Sequence, residues 1–246
     1  LLRLGDLDGA REILTQVLGR SREREQPLLT GSCLLHLGRI AAEIGDSREA
    51  EDLLSEAEKL FRSHQNKREI ADVLLEVCAL NLEEGRFEEG SAHLEEAYSI
   101  LEELGVRDLV PLYFLLRGRL ACMETPGADT DAARKFLERG LVEARELNLP
   151  DLQWRLHLHI GLFDARRGDP KLARIHFQEA KEMLQDACAS LSPRFRETFY
   201  RARERKEPEK AMAAAALQAV TQPAPYKKGD TDSWKVAPPP PEGIGY

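Results

Sequence analysis

Aromatic residues are scarce in this chain, 6% of 246 positions, and no apolar stretch approaches the roughly 18 uninterrupted residues of a membrane-spanning helix. The missing run excludes a helical span. With few aromatics, Leu and Ala supply most of the 42% hydrophobic content, which favours helices over sheet. Cysteine is sparse as well. Cys33, Cys78, Cys122 and Cys188 are far apart and form no CxxC pair, so each is expected to be a small core residue in a reducing, cytoplasmic setting. The start, Leu1 to Asp6, has neither an initiator Met nor the layout of a signal peptide.

Catalytic signatures are missing too. There is no GxxxxGK[ST] loop and no GxGxxG after a strand, so no nucleotide cofactor is expected. His157 and His159 look like a ligand pair, but positions i and i+2 on a helix point about 200° apart, which argues against a metal. The other histidines, His36, His64, His93 and His176, have no acidic or thiol partner at a readable spacing. Glu83-Glu84, Glu88-Glu89, Glu95-Glu96 and Glu102-Glu103 fit a solvated helix face better than acid/base chemistry. The expectation is a chain without enzyme activity, cofactor or metal. A net charge of −8 argues against nucleic acid and anionic membranes as partners.

What is present is a rhythm. Gly5-Asp6, Gly45-Asp46 and Gly85-Arg86 fall at steps of forty, each followed by a small residue (Ala10, Ala50, Gly90), then Leu14, Leu54 and Leu94, then Val17, Ala57 and Ala97. The pattern returns as Ala133, Leu137 and Gly140, and again as Ala173, Phe177 and Ala180. The one longer interval takes its extra residues at Thr125 to Asp129, among turn formers. Upstream, Leu35 and Gly38, Leu75 and Cys78, Leu115 and Gly118, and Leu158 and Gly161 keep one spacing. Steps of three and four put these residues on single helix stripes. The unit is therefore helix A, a turn, then helix B, with small residues where two backbones approach.

These positions resemble the tetratricopeptide repeat. Gly38, Gly45, Ala50, Leu54 and Ala57 reproduce its signature in order and spacing, as do Gly161, Gly168, Ala173, Phe177 and Ala180, and the likeness covers about residues 1–188. The usual period is about 34 residues; forty implies helices roughly 4.5 Å longer. Large aromatics usual in helix A are replaced by Leu34, Leu74 and Ala41. Long-period repeats of this kind resemble those of bacterial signalling ATPases, kinase-linked sensor regions and transcriptional activators.

The resemblance implies an all-α, right-handed α-solenoid, to which the residues beyond it add a C-terminal capping helix and a disordered tail. Residues 1–190 form the array: a half repeat over 1–21, then pairs over 28–63, 68–104, 108–147 and 151–188. Residues 191–221 hold capping and Ala-rich helices, and 222–246 a Pro-rich flexible tail. The first helix lacks its helix A, so Leu7, Ile13 and Leu14 would want covering, as in a fragment of a longer protein; the alternative is a stack capped by its own odd first helix. The basic run Arg194, Arg196, Arg201, Arg203, Arg205 and Lys206 carries Phe195 and Phe199 at i, i+4. That spacing fits a seal on the last repeat better than stacking on bases, with docking of an acidic partner between the two.

In such repeats the A helices line a concave surface where ligands lie. The positions it implies are Ser32, Leu35, His36 and Arg39, then Asp72, Leu75 and Glu76, then Leu112, Leu116 and Arg119, then Arg155, His159, Leu162 and Arg166. Leu and Arg on one face suit a protein or peptide partner with apolar anchors and carboxylates. A Lys/Asn clamp for a chaperone's terminal carboxylate is not present, since only Asn81 lies in these helices. The expected role is a non-catalytic interaction scaffold within a larger bacterial signalling or regulatory protein. The alternatives are the regulatory arm of a kinase or ATPase, or a standalone adaptor of a secretion or assembly complex.

Overall fold

The computed structural model describes residues 5–123, 130–200 and 203–221. The insertion at Thr125 to Asp129, the Arg201 position and the tail from Gln222 lie outside these residues. The described chain is an all-α solenoid. After α1 (Leu7–Glu23), helices pair as α2 (Pro27–Ile44) with α3 (Ser47–Ser63) and α4 (Lys67–Glu83) with α5 (Phe87–Leu104). Next come α6 (Val110–Ala121) with α7 (Thr130–Glu146), and α8 (Pro150–Arg166) with α9 (Pro170–Ala189). A short α10 (Pro193–Phe199), a 3-10 turn at Arg203–Lys206 and α11 (Glu207–Thr221) complete it.

Turn chemistry sets the pairing. Gly45 ends α2 at φ 88°, and the next residue, Asp46, starts α3 by accepting from the Glu49 N–H at 3.0 Å. Such a left-handed glycine followed by an N-capping carboxylate stops one helix and starts the next within two residues. Asp6 and Asp169 cap α1 and α9 in the same way. Between pairs, Glu25, Gln65 and Asn148 take φ of 51° to 54°, a conformation less favoured for side-chain-bearing residues.

Small residues fix the helix separation. A Cβ on Gly38 would stand 2.9 Å from Leu54, and one on Gly118 2.6 Å from Leu137, so α2 and α6 approach their partners only because these side chains are missing. Gly31 makes the same allowance for the Phe61 ring. Phe61, Phe177, Leu54 and Leu94 are fully buried, each contributing about 1.5–3 kcal/mol.

The outer acids are organised. Successive repeats are tied by Arg11 to Glu49 at 2.5 Å, Arg22 to Glu56 at 2.6 Å, Arg62 to Glu96 at 2.8 Å, Arg68 to Asp108 at 2.7 Å and Arg107 to Glu143 at 2.7 Å. Each such exposed pair is worth about 0.2–1 kcal/mol, so packing and not this ladder holds the stack.

The C-terminal cover is built from α10, the 3-10 turn and α11. Past α10, the Arg205 guanidinium donates to the Phe199 carbonyl at 2.9 Å and lies 4.1 Å from the ring. Most of the cover comes from α11, which rests on α9 and α8 and sets Ala211 and Met212 against the terminal core of Trp154, Leu158, Phe177 and Phe199. Arg196 caps α9 by donating to the Leu191 and Ala189 carbonyls. At the other end, Ile13 is 52% exposed, while Leu7 and Leu14 are half-buried. The ends of the array meet: the Gly5 turn packs against the Thr198 carbonyl, and a Cβ there would stand 3.1 Å from the Phe199 Cα.

Candidate functional site

Helices α2, α4, α6 and α8 neighbour one another along the inner face. Together they enclose a cavity of about 460 Å3. From α2 it takes Gly38, Arg39, Ala42 and Glu43; from α4, Glu76, Ala79, Leu80 and Glu83. Arg119 of α6 and Arg155, Leu158, His159 and Leu162 of α8 form the opposite wall, with Glu207 at the start of α11 on the rim. A single cavity thus touches all four A helices. A smaller one, about 170 Å3, adjoins it: Arg119, His159 and Leu162 line both, and Cys122, Met123, Leu137, Phe163 and Arg166 complete it.

Of the residues expected on this face, Arg39, Glu76, Arg119, Arg155, His159 and Leu162 meet in the larger cavity, and Arg166 in the smaller one. Leu35, Leu75, Leu112 and Leu116 do not belong to the surface. They are 0–9% exposed and fill the core between helices. Asp72 is buried beneath the face and serves Arg39. Ser32 bonds back to the Leu28 carbonyl at 3.0 Å, and His36 lies 3.3 Å from the Arg39 guanidinium; neither lines these two cavities. Sequence reasoning missed Ala42, Glu43, Ala79 and Glu83. They continue the Arg39 and Glu76 positions by three, four and seven residues, so the helical period was the available signal.

The electrostatics divide the cavity. Arg39 donates to Asp72 at 2.6 Å and Glu76 at 2.9 Å. Burial works against the Arg39 charge, but Glu76 and Asp72 more than offset it and keep it firmly ionised. Burial pushes the Asp72 carboxyl up to about 6 against the pull of Arg39. His36 is held below the usual imidazole range, by burial first and Arg39 second. On the opposite wall, burial followed by Arg119, Arg155 and Arg166 holds the His159 imidazole well below its ordinary value. It is a neutral ring among cations.

His157 points away from His159, as the i, i+2 spacing requires. It is buried between α7 and α9, 3.2 Å from Arg145 and 3.1 Å from His176. Among the described residues no three His, Cys, Asp or Glu side chains are placed to hold a metal ion. All four cysteines are free thiols, and burial pushes the Cys78 thiol up to about 12. No helix is long and apolar enough to cross a membrane among the described residues.

An α-solenoid of paired helices with an enclosed inner groove is the class of molecule that this fold and this cavity define. Among solved structures it is similar to a signal transduction ATPase with numerous domains from Pyrococcus horikoshii, which carries a tetratricopeptide repeat sensor. The TM-score is 0.58 at 15% identity over 89% of this chain and 34% of that one. The chain thus spans about a third of that ATPase. It is also similar to BtubC (BKLC) from P. vanneervenii, with a TM-score of 0.55 at 15% identity over 98% of this chain and 97% of that one. These likenesses are of fold. No family model and no curated protein matches the sequence.

Proposed function

We propose that this chain is a tetratricopeptide-type interaction module, without enzyme activity, that binds a peptide or helical segment of a protein partner in its inner groove. One observation carries the reading: four A helices converge on a preformed cavity whose walls combine Leu80, Leu158 and Leu162 with charges of both signs. A concavity that exists before the ligand arrives lowers the ordering cost of binding. Helix-paired sensors and scaffolds use such surfaces for extended or helical segments.

The module's setting is a signalling or regulatory protein of bacterial type, acting in the cytoplasm. The similarity to an ATPase with a tetratricopeptide sensor supports a sensor or regulatory arm working beside a nucleotide-hydrolysing domain. The second reading is a standalone adaptor, and the fold it shares with BtubC is compatible with that role.

Selection of a displayed library of random 15-residue peptides on the immobilised chain tests the reading. Peptides so obtained are expected to lose about tenfold or more in affinity on the Arg119→Glu/Arg155→Glu double variant, provided circular dichroism shows it folded. They are expected to bind the Lys135→Glu variant, altered on the exposed side of α7, as tightly as the parent. Affinity indifferent to Arg119 and Arg155 contradicts the reading.

A further inference from the structure

The smaller cavity has a composition that the larger one lacks. Its floor is apolar, made by Leu137 and Phe163, 1% and 5% exposed, with Leu162 and the Met123 thioether beside them. Its mouth is cationic. Arg119 of α6 and Arg166 of α8 line it together with His159 of α8, and both guanidinium charges act on that imidazole.

Arg11, Arg22, Arg39, Arg62, Arg68 and Arg107 each meet a carboxylate. Arg166 meets only the Met123 sulfur, at 3.9 Å, among the described residues. The groups acting on His159 are Arg119, Arg155 and Arg166, with no carboxylate among them. Acids that share the wider space, Glu76 and Glu83 of α4, Glu43 of α2 and Glu207 of α11, stand around the larger cavity and do not line the smaller one. Cys122 at its edge is a neutral thiol, raised by burial.

We infer that Arg119, Arg166 and His159 form an anion seat at the mouth of this pocket, and that it takes a carboxylate carried on an apolar body. That is the pattern an acidic residue beside a Leu or Ile presents on a bound peptide, and this assignment rests on the groove being the binding surface. Forked guanidinium donors match a carboxylate, and a space of about 170 Å3 accepts a branched aliphatic group, as cavities of about 150 Å3 accept benzene. A bare phosphate leaves the apolar floor uncovered. The seat also couples to protons. A bound carboxylate favours the charged imidazolium, so binding raises the His159 pKa and takes up a proton, and affinity strengthens as pH falls below neutrality.

The test is nuclear magnetic resonance of the His159 imidazole in the full chain, assigned with His159→Gln. The probes are 4-methylpentanoate, 4-methylpentanamide and inorganic phosphate. The acid is expected to shift the His159 signals and raise its pKa, the amide to leave both unchanged, and phosphate to bind more weakly than the acid. Arg166→Gln, at an exposed side chain, is expected to weaken the acid about tenfold with the melting temperature preserved. An amide as effective as the acid, phosphate as tight as the acid, or undiminished binding by Arg166→Gln overturns the seat. Selected peptides that need Arg155 but ignore Arg166 overturn the seat and leave the groove reading standing. Binding of the acid without any peptide recognition overturns the groove reading and leaves an anion site.

Discussion

A Cβ on Gly161 would stand 2.5 Å from the ring of Phe177 and 3.1 Å from the Ala173 carbonyl oxygen. Neither neighbour has room to give, because Phe177 is fully buried and Ala173 belongs to the α9 backbone. The α8–α9 separation is therefore set by a side chain that is missing. Gly161→Ala is expected to destabilise the chain by about 1–3 kcal/mol, and Gly118→Leu, against Leu137, by at least as much. A smaller ring position, Phe177→Leu, should recover part of the Gly161→Ala loss, measured as coupling in a double-mutant cycle of denaturant unfolding. Additive losses would show that the two residues do not meet.

The buried histidines give the stack a pH dependence. Arg145 donates to His157 Nε2, so His157 carries its proton on Nδ1 and donates to His176 Nδ1. Burial first, then His176 and Arg145, bring the His157 pKa down to about 4. The unfolded chain takes up this proton near the ordinary value of 6.5, the native chain only near 4, so stability falls as pH drops across that window. The loss is on the order of 2–3 kcal/mol. Asp72, raised to about 6 by burial, works in the opposite direction, since the native state there protonates first. The difference between wild type and His157→Gln isolates the histidine. Urea unfolding at pH 7 and pH 4.5 should show a smaller drop in the variant, and equal drops would mean that His157 does not carry this pH dependence.

Arg39 serves two acids, one of which, Asp72, is nearly buried. Removing the cation alone, as Arg39→Met, strands that carboxylate and is expected to cost about 1–3 kcal/mol. Arg39→Met/Asp72→Leu should recover most of it, because an apolar pair of similar volume leaves no buried charge unsatisfied. A double variant as unstable as the single one would place the stabilisation elsewhere than in the Asp72 pairing.

Phe199 ties the terminal segment to the last repeat, packing with Trp154 and Leu158 and holding Arg205 over its ring. Phe199→Ala is expected to cost about 3–5 kcal/mol. In a Trp234→Phe background, which leaves Trp154 as the sole indole, its emission should move to longer wavelength as the core opens. Unchanged emission and melting would mean that α11 holds the cap without Phe199.

Much of this architecture was legible in the residues. The forty-residue step, the Gly-Asp turns and the small positions at Gly38, Gly118 and Gly161 each encode a geometric need that few other residues meet. The turns at Glu25 and Gln65 were not legible, because a left-handed conformation there is imposed by the helices on either side and not by the residue itself. The groove was readable only in part. Arg39, Arg119 and Arg155 announce a polar face, but whether a Leu looks inward to the groove or sideways to its partner helix depends on a small rotation of the helix. Leu35, Leu75, Leu112 and Leu116 fell on the packing side of that boundary. At the C-terminal end, Arg205, 8% exposed, is fastened by its contact with Phe199, which no spacing rule foretells.

Hydrogen–deuterium exchange of the chain, free and saturated with a library-selected peptide, tests the groove most directly. Slowed exchange along α2, α4, α6 and α8, with α3, α5 and α7 unaffected, is the result expected of a ligand held inside the curve. Protection confined to the outer helices, or to the exposed face of α1 around Ile13, would place recognition on another surface.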